Sequence, residues 1–296
     1  MRFGNLAGRF VLRTDEGAVD VAAATNGLLP ADPAEAYVRW DDVTAWAAAL
    51  DPATLGPVVT KDVGLEALGP PSPRPRQVFA LALNYADHAG ESGLAAPAAP
   101  SVFTKFPTSV AGPFGTVALP SATVDWEVEL VVVIGRPARH VAAADAWAHV
   151  AGVTVGQDLS DRVVQFADAT PQFSLAKSFP GFSPLGPWLV TPDELGDPDD
   201  LELGCAVNGE TVQAARTTEM VFRVPAIVAH LSRVLPLLPG DLVFTGTPAG
   251  VGALRTPPRF LAPGDVLTSW VTGVGEMRHV CTAPHETTSR DAHGGG

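Results

Sequence analysis

The chain has 296 residues, 46% hydrophobic and 17% charged, with 29 Gly and 28 Pro scattered rather than periodic. Length and composition allow a substantial buried core in one large domain or two moderate ones, and exclude disorder and collagen-like structure. With 19 basic against 32 acidic residues, a net charge of −13, it lacks the basic field that holds nucleic acid or an anionic membrane.

Phe3, Phe10 and Val11 suggest an opening hairpin, and Asp32 to Leu50, with Trp40, Val43, Trp46 and Leu50, reads as an amphipathic helix. Residues 1–70 are thus expected to form a small N-terminal domain. GPPSPRPRQ, residues 69–77, suits an extended connector. Beyond it, short apolar runs are cut by Gly and Pro. Val78–Leu83, Val102–Phe106, Val128–Ile134, Val150–Val155, Leu201–Val207, Leu242–Thr245 and Val266–Val271 read as strands. Helical patterns are fewer, at Ala142–His149 and Val224–Leu235. Strands dominate without regular alternation with helices, so the expected class is strand-rich α+β rather than a doubly wound sheet. The tail, residues 283–296, should be flexible.

Two cysteines, Cys205 and Cys281, are too few for a disulfide framework or a thiolate metal site. The opening MRFGNLAGRFVLRTDEG has no signal-peptide core, and the longest apolar run, Leu130 to Gly135, is far short of a membrane span. A cytoplasmic protein with no membrane segment is expected.

Asp125-Trp126-Glu127-Val128-Glu129 runs into a stretch that is apolar on both faces, as in a strand buried on both sides. On a strand Glu127 and Glu129 share a face, and two carboxylates at the mouth of a buried strand repel and lose hydration. A divalent cation would offset that, and Asp158, after the next apolar strand, is placed to close an all-oxygen site for Mg2+, Mn2+ or Ca2+. The alternative is that both glutamates reach solvent at an exposed strand end.

In Asn84-Tyr85-Ala86-Asp87-His88-Ala89-Gly90-Glu91, His88 and Glu91 lie at i and i+3 if the segment is helical, the pairing a water-activating base needs; otherwise they are surface polar residues. Only three lysines occur, Lys61, Lys105 and Lys177. Lys177 sits in apolar company ahead of a Pro/Gly turn. There it either holds a substrate carboxylate or developing oxyanion, or packs its stem on Phe179. Gly246 to Gly252 permits close backbone approach to a ligand, or is a structural turn; it has neither P-loop nor Rossmann spacing.

Taken in order, LNYADHAGESG, VFTKFPTSVAGP, DWEVELVVVIG, GVTVGQDLSDRVVQ, AKSF with PLGPW, VNGE and FTGTPAGVG resemble the fumarylacetoacetate hydrolase family over roughly residues 77–282. The resemblance implies a mixed β-roll core in a catalytic domain over 71–282, a homodimer, and a metal on Glu127, Glu129 and Asp158. It also implies a His88–Glu91 dyad on a mobile lid helix and Lys177 on the substrate acid group or leaving enolate. Gln165, Arg162, Thr247 and Tyr85 would contact or support the substrate. Gln157, Pro180 and Ala82 depart from the family's usual Asn, Asp and Gly, and none of them removes a proposed ligand or base.

A 2-oxo acid or 1,3-dicarbonyl compound chelates a divalent ion through two oxygens, and the ion stabilises an enolate. With water activated by His88, the expected reaction is C–C bond hydrolysis of an acylpyruvate-type (2,4-dioxo acid) substrate. Without it, the same site supports decarboxylation or isomerisation of a 2-oxo dicarboxylate, of the oxaloacetate or 2-hydroxyhepta-2,4-dienedioate type. A catalytically silent binding relative is the third reading.

Overall fold

The computed structural model describes residues 1–51, 59–60, 64–87 and 97–284. His88 and Glu91, and the tail from residue 285, lie outside the described residues.

Strands β1 (Arg2–Leu6) and β2 (Arg9–Thr14) form the expected hairpin, extended by β3 (Gly17–Asp20) and β4 (Val59–Thr60). The later strands are β5 (Leu68–Gly69), β6 (Val78–Ala82), β7 (Ser101–Thr104), β8 (Val110–Ala111), β9 (Phe114–Ala118), β10 (Val124–Asp125), β11 (Val128–Ile134), β12 (Val150–Gln157), β13 (Ser160–Asp161) and β14 (Ser183–Val190). They are followed by β15 (Glu202–Val207), β16 (Glu210–Arg216), β17 (Leu242–Phe244), β18 (Val266–Val271) and β19 (Gly275–Thr282). One mixed sheet runs β4-β3-β2-β1-β14-β12-β11-β17-β6-β7, with β5 on β1 and β8 on β14; a second runs β16-β15-β18-β19-β9.

Strand β11 shows why the sheet is covered on both sides. Val128, Leu130, Val132 and Ile134 pack into one core with Leu203, Val207, Leu267 and Met277 of the second sheet. The alternate residues Val131 and Val133 pack into another core with Phe3, Phe10, Tyr37 and Trp40. The first strands are therefore not set apart by the Pro-rich connector. β1 pairs directly with β14 through Arg2↔Val190 and Phe3↔Leu189, and its aromatic side chains form part of the cover of the central strands.

Three local expectations change. The helix read over Asp32–Leu50 is two helices, α1 having come earlier at Val21–Ala24: α2 (Pro33–Val38), capped by Asp32, and α3 (Trp40–Ala48). Tyr37, Trp40 and Val43 keep a three-residue spacing across the break at Arg39, so periodicity alone does not register it. Ala143–His149 is a 3-10 helix in which only Ala146 is buried. Lys177 is followed by a turn at Pro180 and Gly181, closed by the Phe182 N–H on the Phe179 carbonyl, but the Pro/Gly run from Ser183 to Trp188 is part of β14, buried along its whole length between β12 and β1. The remaining helices are α4 (Arg162–Gln165), α5 (Phe173–Ala176) and α6 (Val224–Val234). Among the described residues no helix is long and apolar enough to cross a membrane.

Candidate active site around a carboxylate triad

The antiparallel register of β11 on β12 sets Val128 opposite Gln157 and Glu129 opposite Gly156. One step beyond, the Asp158 N–H donates to the Glu127 carbonyl at 2.9 Å, so the acidic ends of the two strands lie side by side. Gly156 is required there, because a Cβ would meet Val131 at 2.4 Å. Gln157 fixes the turn: its Oε1 accepts from the Glu127 N–H at 2.8 Å and its Nε2 donates to Ser269 at 2.9 Å.

Glu127, Glu129 and Asp158 each bring a carboxylate oxygen within 4.8 Å of the other two, and all three are buried. Glu129 Oε2 accepts from the Gly246 N–H at 2.6 Å, while Oε1 is buried with no hydrogen-bond partner. Burial, then the negative charges of Asp158 and Glu127, push the Glu129 carboxyl well above the usual range. A buried orphan oxygen beside two further carboxylates is a donor set that fits a hard divalent cation.

Two buried ammonium groups balance the other acids. Lys177 Nζ donates to Glu127 at 2.7 Å, Asp158 at 2.8 Å and Ser160 at 2.7 Å, and lies over the Phe103 ring. Burial opposes its charge, but Asp158 and Glu127 outweigh burial and its pKa rises. Lys105 Nζ bonds Asp158 and the Phe182 carbonyl. For Lys105 burial prevails over the attraction of Asp158, with repulsion from Lys177 adding to it, and the pKa falls.

Asp125 anchors the outer wall. It accepts from the N–H groups of Trp126, Gly252 and Ala253 and from Arg162 Nε and Nη2. Arg162 in turn reaches Glu127 Oε1 and Gln165 Oε1, both at 2.7 Å. The glycines of the 246–252 loop thus bring backbone N–H groups against anions as expected, but the anions are the protein's own Glu129 and Asp125. A Cβ on Gly252 would lie 1.9 Å from the Arg259 carbonyl, and Gly246 has φ +97°.

Glu127, Lys177, Arg162, Gln165 and Thr247 line a pocket of about 380 Å³. The Thr247 hydroxyl donates to the Val128 carbonyl and accepts from Gln213, so its proton serves the framework rather than a ligand. Tyr85, expected among the substrate contacts, does not line this pocket. Its ring is 1% exposed within the core and it borders a separate cavity of about 220 Å³ with Glu219 and Ala249. Its hydroxyl has no partner, and burial raises its pKa. His88 and Glu91 have no described position here.

Lys105 and Asp125 escaped the reading of the sequence. For Asp125 the signal was present, since the alternation that joins Glu127 to Glu129 begins one step earlier. For Lys105 it lay in the scarcity of lysine: of three in the chain, two meet at Asp158.

Residues 77–282 match the family profile described as "Fumarylacetoacetate (FAA) hydrolase C-terminal". The chain is 45% identical over 207 residues to the human protein named oxaloacetate tautomerase FAHD2A, mitochondrial, a match covering 69% of this chain and 66% of that one. Just under two thirds of the relative's length is therefore spanned. Among solved structures, a Mycobacterium smegmatis protein provisionally named HpcE is 53% identical with a TM-score of 0.90, covering 96% of this chain and 99% of that one. Maleylpyruvate hydrolase from Sphingobium, solved with manganese(II) and pyruvate, is 28% identical with a TM-score of 0.78, covering 96% and 100%.

Proposed function

The chain belongs to the fumarylacetoacetate hydrolase family, and on that premise we propose that it is a divalent-metal-dependent enzyme that enolises 2-oxo acids, working as a tautomerase or isomerase. The observation that carries this reading is the convergence of Glu127, Glu129 and Asp158, of which Glu127 lines the pocket, with one oxygen of Glu129 unpartnered. Glu127, Glu129 and Asp158 would hold Mg2+ or Mn2+, which would supply Lewis acidity toward a 2-oxo acid.

The protein's own residues do the rest. Lys177, at the mouth of the triad, is the cation within reach of a substrate carboxylate or of charge developing on the carbonyl oxygen. Arg162 orients Glu127 through a 2.7 Å hydrogen bond, and its raised pKa keeps the guanidinium charged. Gln165, its oxygen taken by Arg162, leaves an amide nitrogen for the ligand. Burial of the triad excludes water and strengthens each of these charges.

The tautomerase name of the human relative supports enolisation ahead of hydrolysis. The second reading, C–C bond hydrolysis of an acylpyruvate-type substrate, draws on the maleylpyruvate hydrolase neighbour and on His88 with Glu91 as the water-activating pair. One experiment separates the two: the decay of an enol 2-oxo acid followed in the ultraviolet, beside mass analysis of acylpyruvate products in labelled water. Enolisation predicts metal-dependent decay with no loss of mass. Cleavage carrying solvent oxygen into a new carboxylate, and abolished by His88→Ala, would instead establish the hydrolase.

A further inference from the structure

Among the described residues the charged lining of the pocket is Glu127, Lys177 and Arg162, and away from them only Ser101 is polar besides Gln165 and Thr247. Its upper wall is Leu83, Phe103, Phe166, Phe173, Val251 and Leu254. Phe166 and Leu254 remain 57% and 39% exposed, so the apolar surface continues to the mouth. Among the described residues the cations that line the pocket are Lys177 and Arg162, and both are committed beside Glu127. Each of the three Lys177 protons has an acceptor, and all three Arg162 nitrogens are engaged by Asp125, Glu127 and Gln165.

A 2-oxo acid places one carboxylate beside its keto group, at the floor. A second carboxylate, as in oxaloacetate, would sit among aromatic and aliphatic side chains with no cation of its own, and burying it unpaired is costly. An apolar substituent at the same place displaces water from apolar wall and gains by burial. Resting on the enolising reading above, we infer that the substrate is a 2-oxo acid whose group beyond the enolisable carbon is apolar, an aryl or branched alkyl group rather than a carboxylate. Specificity then lies in Phe103, Phe166 and Leu254, and departs from the oxaloacetate named for the human relative.

The test compares phenylpyruvate with oxaloacetate, which undergo the same reaction: the enol oxygen loses a proton and C3 gains one, with no other atom exchanged. With Mg2+ or Mn2+ present, kcat/KM for enol-phenylpyruvate should exceed that for enol-oxaloacetate by at least about tenfold. Leu254→Arg, at a half-exposed position, supplies the missing cation and should lower that ratio by about tenfold or more. Calorimetry with the non-enolisable 2-hydroxy acids phenyllactate and malate reads the pocket without the chemistry, and phenyllactate should bind more tightly. Faster turnover of oxaloacetate together with tighter binding of malate overturns the inference and leaves enolisation standing. Tighter phenyllactate binding with neither enol accelerated sustains the pocket preference and overturns the enolising reading.

Discussion

Asp125 and Glu129 are buried carboxylates four residues apart on one line of side chains, yet their surroundings are opposite. Asp125 accepts from three backbone N–H groups and from a guanidinium. Glu129 accepts from one N–H and keeps an oxygen with no partner. The first is a structural tie that joins the 246–253 loop to α4. The second is held ready for something the fold does not itself supply. The difference shows that burial of an acid says little about its role until its lone pairs are accounted for.

That contrast can be broken at either end. The largest effect is expected from Asp125→Ala, which leaves Arg162 buried beside unfilled N–H groups and should cost about 3–5 kcal/mol in urea unfolding; a loss below about 1 kcal/mol would refute the tie. Lys105→Met should cost less, about 1.5–3 kcal/mol, because Asp158 keeps Lys177 as a partner. In that variant Mn2+ should raise the melting temperature by more than in the wild type, since the ion restores a lost positive charge. An equal increment would separate Lys105 from the triad.

Glu129→Gln should leave the melting temperature of the metal-free protein unchanged or higher, because a buried carboxyl with one unpartnered oxygen, crowded by Asp158 and Glu127, gives way to an amide that carries no charge at any pH. Calorimetric Mn2+ affinity should fall by at least about tenfold, roughly 1.4 kcal/mol. Retained affinity would remove Glu129 from the ligand set.

The smallest effect concerns His279, whose Nδ1 is also buried without a partner but has no acid cluster around it. Burial lowers its pKa below the ordinary value, so the folded state favours the neutral ring. Its contribution to stability is therefore present above the ordinary histidine range, about 6.5, and is lost as pH falls from there through the folded value. His279→Leu should flatten that part of the stability–pH curve; an unaltered slope would mean the ring plays no part.

Much of this was readable in the chain. The two-sided burial of Val128–Ile134 and the shared face of Glu127 and Glu129 follow from apolar alternation, and the β11–β12 register then delivers Asp158. The ordered motifs carried the family. Sequence reading failed where tertiary pairing outweighs local signals. Ser183–Val190 has the Pro and Gly of a turn but is clamped between β12 and β1. Residues 1–70 read as a separate unit because the strand partners of Arg2 and Phe3, Val190 and Leu189, lie far along the chain. Tyr85 was grouped with its motif neighbours, although its backbone bridges to Met220 and its side chain packs in the core shared with the second sheet. Lys105 has no helical or strand periodicity to advertise it, and only the buried Asp158 explains it.

The pocket's floor and its upper wall come from different kinds of scaffold. The carboxylates stand on paired central strands, where a slip of register would scatter them. Phe166, Phe173 and Leu254 stand on one-turn helices and the segments that cap them. Replacements of those three apolar side chains therefore leave the bond-making apparatus intact while altering which molecules fit. A lineage built on this plan can change its diet through a handful of peripheral substitutions, and two descendants with the same reactive centre need not share a metabolite.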